Sequence, residues 1–243
     1  MESIDFYRPQ KLDRTVRYTY YDLSEAVNLT DIVLAQLMNE KRARYARGTR
    51  REAILGIAQE VFSAEGYAAA SMSHIASRLG GSKGTLYNYF KSKEELFAAH
   101  VQHQCDCKVG AAFAPPLAGD NPVEVLAGLA ERVLTAIVSV EAATFYSLIV
   151  SEAQRNPGIG RHFYESGPRK GVERVAEYLT RAQADGQLAV DDCETAAEEF
   201  LSLVHGSLHW KRVLNVVPNP TQEQIRTQAR RAAAIFVRAY GPA

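Results

Sequence analysis

The sequence predicts an all-α chain: a three-helix head with helix-turn-helix grammar, set on a larger helical bundle. Apolar residues recur at helical spacing from Thr49 almost to the C-terminus, with no alternating strand pattern between them. Residues 71–96, SMSHIASRLGGSKGTLYNYFKSKEEL, compress two short helices and a glycine corner into one stretch. Breaks rich in proline and glycine divide the C-terminal two thirds of the chain into helix-length pieces.

Residues 1–47 form an N-terminal extension, the least regular part of the chain. Tyr7, Tyr18, Tyr20 and Tyr21 interleave with Arg8, Lys11, Arg14 and Arg17, a composition that suits a nucleic-acid arm or a flexible tail. Leu23, Val27, Ile32, Leu34, Leu37 and Met38 are loosely periodic, so residues 22–47 read either as a helix or as disorder. Met38 is a workable start, which would set the residues before it outside the native protein. Arg42, Arg44 and Arg47 are placed to reach a minor groove beside the head, or to remain a solvated basic tail.

The head spans residues 48–93. Its first helix, about Thr49 to Ala64, gathers Ile54, Ile57, Ala58, Val61 and Phe62 on one face, and Gly66 ends it. Ser71 caps a second helix whose inner stripe is Met72, Ile75, Ala76 and Leu79. Gly80 and Gly81 lack a Cβ and let the backbone leave by a left-handed turn, which makes a tight corner. Ser82 caps the third helix, with Leu86 and Phe90 inward, Gly84 and Asn88 opposite, and Thr85 and Tyr87 flanking. Ser92 with Glu95 forms a capping box for the next helix. A plain helical hairpin with Tyr87 and Tyr89 as half-buried packing residues satisfies the same periodicity.

The body, residues 94–243, begins with a linking helix from Lys93 to about Gly110. His100, His103 and Cys107 sit on it at i, i+3 and i+7, a spacing able to present three metal ligands, or else simply a face packed on the body. Cys105 points away from Cys107, so no disulfide closes within the helix. After the break from Ala114 to Pro122, a helix runs to about Val140 with Val125, Leu126, Leu129, Val133, Ile137 and Val140 inward. Another covers about Glu141 to Arg155; His162, Phe163 and Tyr164 form a short segment; Pro168 opens a helix to Asp185. Two final helices, roughly Cys193 to Leu214 and Thr221 to Tyr240, carry apolar faces rich in small residues. The faces are Ala196, Phe200, Leu203, Val204, Ser207 and Leu208 on one and Ile225, Ala229, Ala232, Phe236 and Val237 on the other.

Charge is balanced overall, 28 basic against 28 acidic residues, which argues against nonspecific nucleic-acid binding by the whole surface. Locally it is not balanced: Lys41 to Lys93 is rich in lysine and arginine, whereas Asp191, Asp192, Glu194, Glu198 and Glu199 crowd a later stretch. The chain has no apolar run of about 18 residues and no apolar leader, so no membrane contact and a cytoplasmic location are expected. Three cysteines without framework spacing fit a compartment where thiols stay reduced.

From Thr49 to Phe97 the wording goes beyond spacing. TRREAILGIAQEVFSAEGY, then SMSHIASRLG, then GSKGTLYNYFKSKEELF together resemble the tetracycline-repressor (TetR/AcrR) family. The resemblance implies that Ser82, Lys83, Gly84, Thr85 and Tyr87 face the major groove, with Asn88 beside them. It implies phosphate contacts from Tyr89 and Lys93, and backbone contacts near Thr49, Ser71 and Ser73. Hydroxyls and lysine suit phosphate oxygens, while a threonine methyl suits thymine and an asparagine amide suits adenine. The turn departs from the family in one respect: Gly81 stands where an apolar residue is usual, which loosens the corner.

The resemblance further implies a homodimer paired through the last two helices, on a palindromic double-stranded operator. It implies a repressor released by a small-molecule effector. Pocket candidates are Phe113, Phe145, Tyr146, Ile149, Phe163, Tyr178, His205, His209 and Trp210, most of which also suit plain core. One alternative is a metal- or redox-sensing repressor using His100, His103, Cys105 and Cys107. Another is a helical-bundle carrier or enzyme with a vestigial head. Neither a nucleophile-base constellation nor a phosphate loop is visible, so an enzyme is not expected and no cofactor is implied.

Overall fold

Helix caps explain where most elements of this chain begin. The computed structural model describes residues 50–80, 82–114 and 116–242. The N-terminal extension with its tyrosines and arginines, Met38, Thr49 and Gly81 lie outside the described residues. In order, the helices are α1 (Arg50–Ala69), α2 (Met72–Arg78), α3 (Lys83–Tyr89), α4 (Lys93–Phe113), α5 (Pro122–Ile137), α6 (Val140–Ala153), α7 (Pro157–Ser166), α8 (Pro168–Ala184), α9 (Cys193–Val213) and α10 (Gln222–Tyr240). No strand occurs among the described residues.

Ser71, Ser82 and Ser92 each accept a backbone N–H from the residue three further on, satisfying an orphan donor at the starts of α2, α3 and α4. Asn121 and Asn156 accept from the residue two further on, each before a first-turn proline, and Thr221 with Gln224 closes a reciprocal capping box. At α4 the expected box takes another form, since the Glu95 carboxylate accepts from Lys91 N at 2.6 Å.

Several elements differ from the sequence reading: α5 stops at Ile137, so Val140 opens α6 and is exposed, and α1 runs on to Ala69 past a non-helical Gly66. The segment holding His162, Phe163 and Tyr164 is part of a true helix, α7, launched by the Asn156 cap. α9 is bent at Gly206, where φ 47 and ψ −155 suit glycine. Gln228 of α10 causes the bend to be kept: its Nε2 donates to the Leu203 carbonyl at 2.9 Å and would stand 2.4 Å from a Cβ at residue 206.

The described helices share two apolar cores. One joins Ile54, Phe62, Ile75, Leu86 and Phe90 of the head to Leu96, Phe97, Val101 and Cys105 of α4 and to Phe145 and Ile149 of α6. The other fills the body between α5, α8, α9 and α10, around Leu126, Leu134, Tyr178, Phe200 and Phe236. Ala196, Phe200, Val204, Ile225, Ala229, Ala232 and Phe236, read from sequence as a face for pairing with a second copy, are consumed inside this core. Periodicity reports that a face is covered without reporting what covers it. What the last two helices leave exposed is Trp210 (56%), Leu214 (68%) and Ile235 (43%). No single helix among the described residues is long and apolar enough to cross a membrane.

Candidate DNA-binding interface

α2, the corner and α3 are held from beneath. Ile75 and Leu86 are fully buried and Phe90 nearly so, which fixes α3 rotationally on the head core. Gly80 takes φ 67 as expected, turning the chain out of α2. Arg78 pairs with Glu60 at 2.7 Å and His74 with Glu65 at 2.9 Å, tying α2 to α1. These are exposed pairs, so they orient more than they stabilise.

Above that support, Ser82, Lys83, Gly84, Tyr87, Asn88 and Tyr89 are exposed and Thr85 is half-buried. The Ser82 hydroxyl accepts from Thr85 N and lies 3.2 Å from the Thr85 hydroxyl, so those two side chains are coupled. Tyr87 (41%) and Tyr89 (42%) stand out as large exposed rings, unlike the half-buried packing residues of a plain hairpin. Ser71 and Ser73 are exposed at the start of α2. The structure therefore puts the residues of α2 and α3 that the sequence selected at the surface of the head.

Lys93 is positioned differently. Its Nζ donates to the Tyr67 carbonyl at 2.9 Å and the Ala68 carbonyl at 3.3 Å, and lies 4.3 Å from the Tyr67 ring centroid. The ammonium thus closes the end of α1 rather than standing free. Two cations not singled out from sequence border α3. Arg51 lies over the Phe90 ring at 5.3 Å, and Lys91 Nζ donates to the Tyr87 carbonyl at 3.1 Å. Their basic character was visible; their nearness to α3 depends on the three-helix packing.

In the body, the pocket candidates divide. Phe145, Tyr146, Phe163 and His209 form a continuous chain of ring contacts at 5.2–6.0 Å, and His205 extends it at 5.3 Å. Phe113 and Tyr178 belong to the body core, Ile149 to the head-side core, and Trp210 projects to solvent. Burial holds His205 down at about 4 and lowers His209, so both imidazoles are neutral at pH 7. His209 Nδ1 and the Tyr178 hydroxyl are buried without a partner.

The proposed metal face does not assemble. His100 is sealed against Phe62, Phe97 and Phe145, where burial lowers it to about 4. Cys107 is exposed, 3.9 Å from His103 Nε2. The edge of the core runs between them, so spacing along α4 overstated their convergence. No group of three or more His, Cys, Asp or Glu side chains able to hold a metal occurs among the described residues. Cys105 is buried and unbridged, as expected.

Comparison with known proteins agrees with both halves of the chain. Residues 54–100 match the model of the tetR family of bacterial regulatory proteins, and residues 124–242 match the C-terminal domain of AefR-like transcriptional repressors. The transcriptional regulator UidR of Escherichia coli is 29% identical over 164 residues, covering 65% of this chain and 79% of its own. The transcriptional activator FasR of Mycolicibacterium smegmatis is 46% identical over 68 residues, 28% of this chain and 31% of its own. Among solved structures, the flavonoid-responsive regulator FrrA is 33% identical with TM-score 0.67, covering 79% of this chain and 97% of its own. A TetR family regulator from Pseudomonas syringae is 25% identical with TM-score 0.64, covering 81% and 100%.

Proposed function

This chain belongs to the TetR family of DNA-binding transcriptional regulators, and from that premise we propose a homodimeric repressor released from a palindromic operator by an aromatic small molecule. The observation that carries the DNA reading is the face of α3. Its apolar side is locked into the head core, while Lys83, Gly84, Tyr87 and Asn88 are turned outward on a rigid support. Tyr89 meets a phosphate, and Lys83, Thr85 and Asn88 face the major groove, where Thr85 and Asn88 read base edges.

Pairing through α9 and α10 is supported by Trp210, Leu214 and Ile235, the apolar surface those helices keep after the core is filled. Two heads must enter successive major grooves about 34 Å apart, so a small change in their separation costs contacts on both half-sites. α4 is the element able to change it, because it packs with the head at one end and with the body at the other. Effector entry among Tyr146, Phe163, His205 and His209 would press on α6 and α7, both of which meet α4 or its core. FrrA is flavonoid-responsive, and the neutral ring-lined cluster suits the same chemical class here.

Fluorescence anisotropy on an inverted repeat taken from DNA flanking the gene tests this reading. Salt-dependent binding relieved by flavonoids is expected. Binding that no flavonoid relieves, together with the same affinity for random duplex, would overturn it.

A further inference from the structure

A cavity of about 230 Å3, partly open to solvent, lies where the head-side core meets α4 and α7. Three elements wall it: Tyr67 near the end of α1, Glu94, Phe97, Ala98 and Val101 on α4, and Gly158, Ile159 and His162 on α7 with its cap Asn156. Phe97 and Val101 are each 1% exposed, and with Ile159 and Ala98 they make an apolar floor.

The polar groups at the wall restrict what fits. The Tyr67 hydroxyl donates to Glu94 Oε1 at 3.1 Å, so that donor is already used. His162 Nε2 lies 3.0 Å from the Ala98 carbonyl oxygen, which can only accept. Nε2 therefore carries a proton, which leaves Nδ1 as the ring nitrogen with the capacity to accept. A guest that suits this wall is largely apolar and brings a donor of its own, for His162 Nδ1 or for the Glu94 carboxylate. An apolar cavity of about 150 Å3 suffices for benzene. The larger volume here leaves room for a second fused ring or a short substituent.

The cavity is also coupled to the head. The Tyr67 carbonyl and ring together hold the Lys93 ammonium, so a molecule seated against Tyr67 bears on the residue that closes α1 beside the helix-turn-helix. It also bridges α1 and α7, which fixes the start of α4 between them.

We propose that this joint cavity is a second small-molecule site, for a mono- or bicyclic aromatic bearing one hydrogen-bond donor, and that its occupancy modulates DNA binding through Tyr67. Binding stands on the cavity alone; the modulation rests on the proposed role as a DNA-binding regulator.

Indole is the probe, and benzothiophene, of similar shape without the N–H, is its control. Saturation-transfer NMR and calorimetry on the full-length protein should show saturable indole binding, with benzothiophene about threefold to tenfold weaker. Ala98→Phe, which fills the cavity from a half-buried position, should abolish binding, and Ile159→Phe should do so from the α7 side. His162→Phe should narrow the difference between the two probes. Saturating indole should change operator affinity at least about fivefold, and Ala98→Phe should remove that change while leaving a flavonoid response intact. Absence of saturable indole binding, or binding equal in folded Ala98→Phe and Ile159→Phe, would overturn the site. Binding without any effect on operator affinity would overturn the modulation, and loss of operator binding by unliganded wild type would instead count against the regulator reading.

Discussion

The head-side core is plugged by a cluster of large rings, whereas the body core mixes leucine and valine with a set of alanines between long helices. Phe62, Phe90, Phe97 and Phe145 plug the first, with Phe62 and Phe97 edge to face at 4.9 Å. Ala127, Ala130, Ala182, Ala196, Ala197, Ala229, Ala232 and Ala233 line the second, with Phe200 against Phe236 as its main ring pair. Ring plugs resist reshaping, since each loses a great deal of contact if displaced; alanine-lined seams let helices lie close and shift along one another. The first core also ignores the sequence boundary at residue 93, for it takes in Leu96 to Cys105 of α4 and Phe145 and Ile149 of α6. The unit that presents α3 is thus larger than the three-helix head, and it takes in α4 up to Cys105 and parts of α6 and α7.

The sharpest way to break this comparison is to remove one ring from each core. Phe97→Ala and Phe236→Ala should each cost about 3–5 kcal/mol in denaturant unfolding. Hydrogen exchange should rise in α1–α3, the first half of α4 and α6 for the former, and in α5, α9 and α10 for the latter. Exchange rising equally everywhere in both variants would show a single undivided core.

Acid should test the same division through buried histidines. His100 in the head-side core and His205 in the body are both held down at about 4 by burial. The unfolded chain binds their protons first, so their contribution is present above about pH 6.5 and is lost as pH falls toward 4. His100→Phe should flatten the acid limb of the stability curve by one proton, read from unfolding at several pH values.

Lys93→Ala should lower stability by about 1 kcal/mol, because two carbonyls at the end of α1 lose their donor. Should Lys93 also meet a phosphate, the salt dependence of DNA binding will flatten by about one unit. An unchanged slope with lowered stability would make it a clamp only. Ser82→Ala is expected to be the mildest, about 1 kcal/mol or less from the α3 cap, measured by thermal melting.

Caps and glycine corners were legible because their chemistry is local: Ser71, Gly80, Ser82 and Ser92 do in the fold what their spacing says. The outer face of α3 was legible for the same reason. The bend at Gly206 was not, since it depends on Gln228 arriving from another helix. Nor was the fate of the α9 and α10 stripes, because alternation of apolar residues is identical whether α5 or a second copy covers them. Whether His100 lay on a ligand face or a packed one was not legible for a related reason: helical spacing places side chains on a face, but only packing decides which of them are sealed.

The most direct test of base reading by α3 is a selection from randomised duplex DNA, run in parallel on the wild-type protein and Asn88→Ala. The wild type should enrich an inverted repeat, and Asn88→Ala should lose discrimination of about 1–3 kcal/mol confined to one symmetry-related pair of positions. Enrichment of no inverted repeat by the wild type, or identical preferences from the two proteins at every position, would contradict base reading by this face of α3.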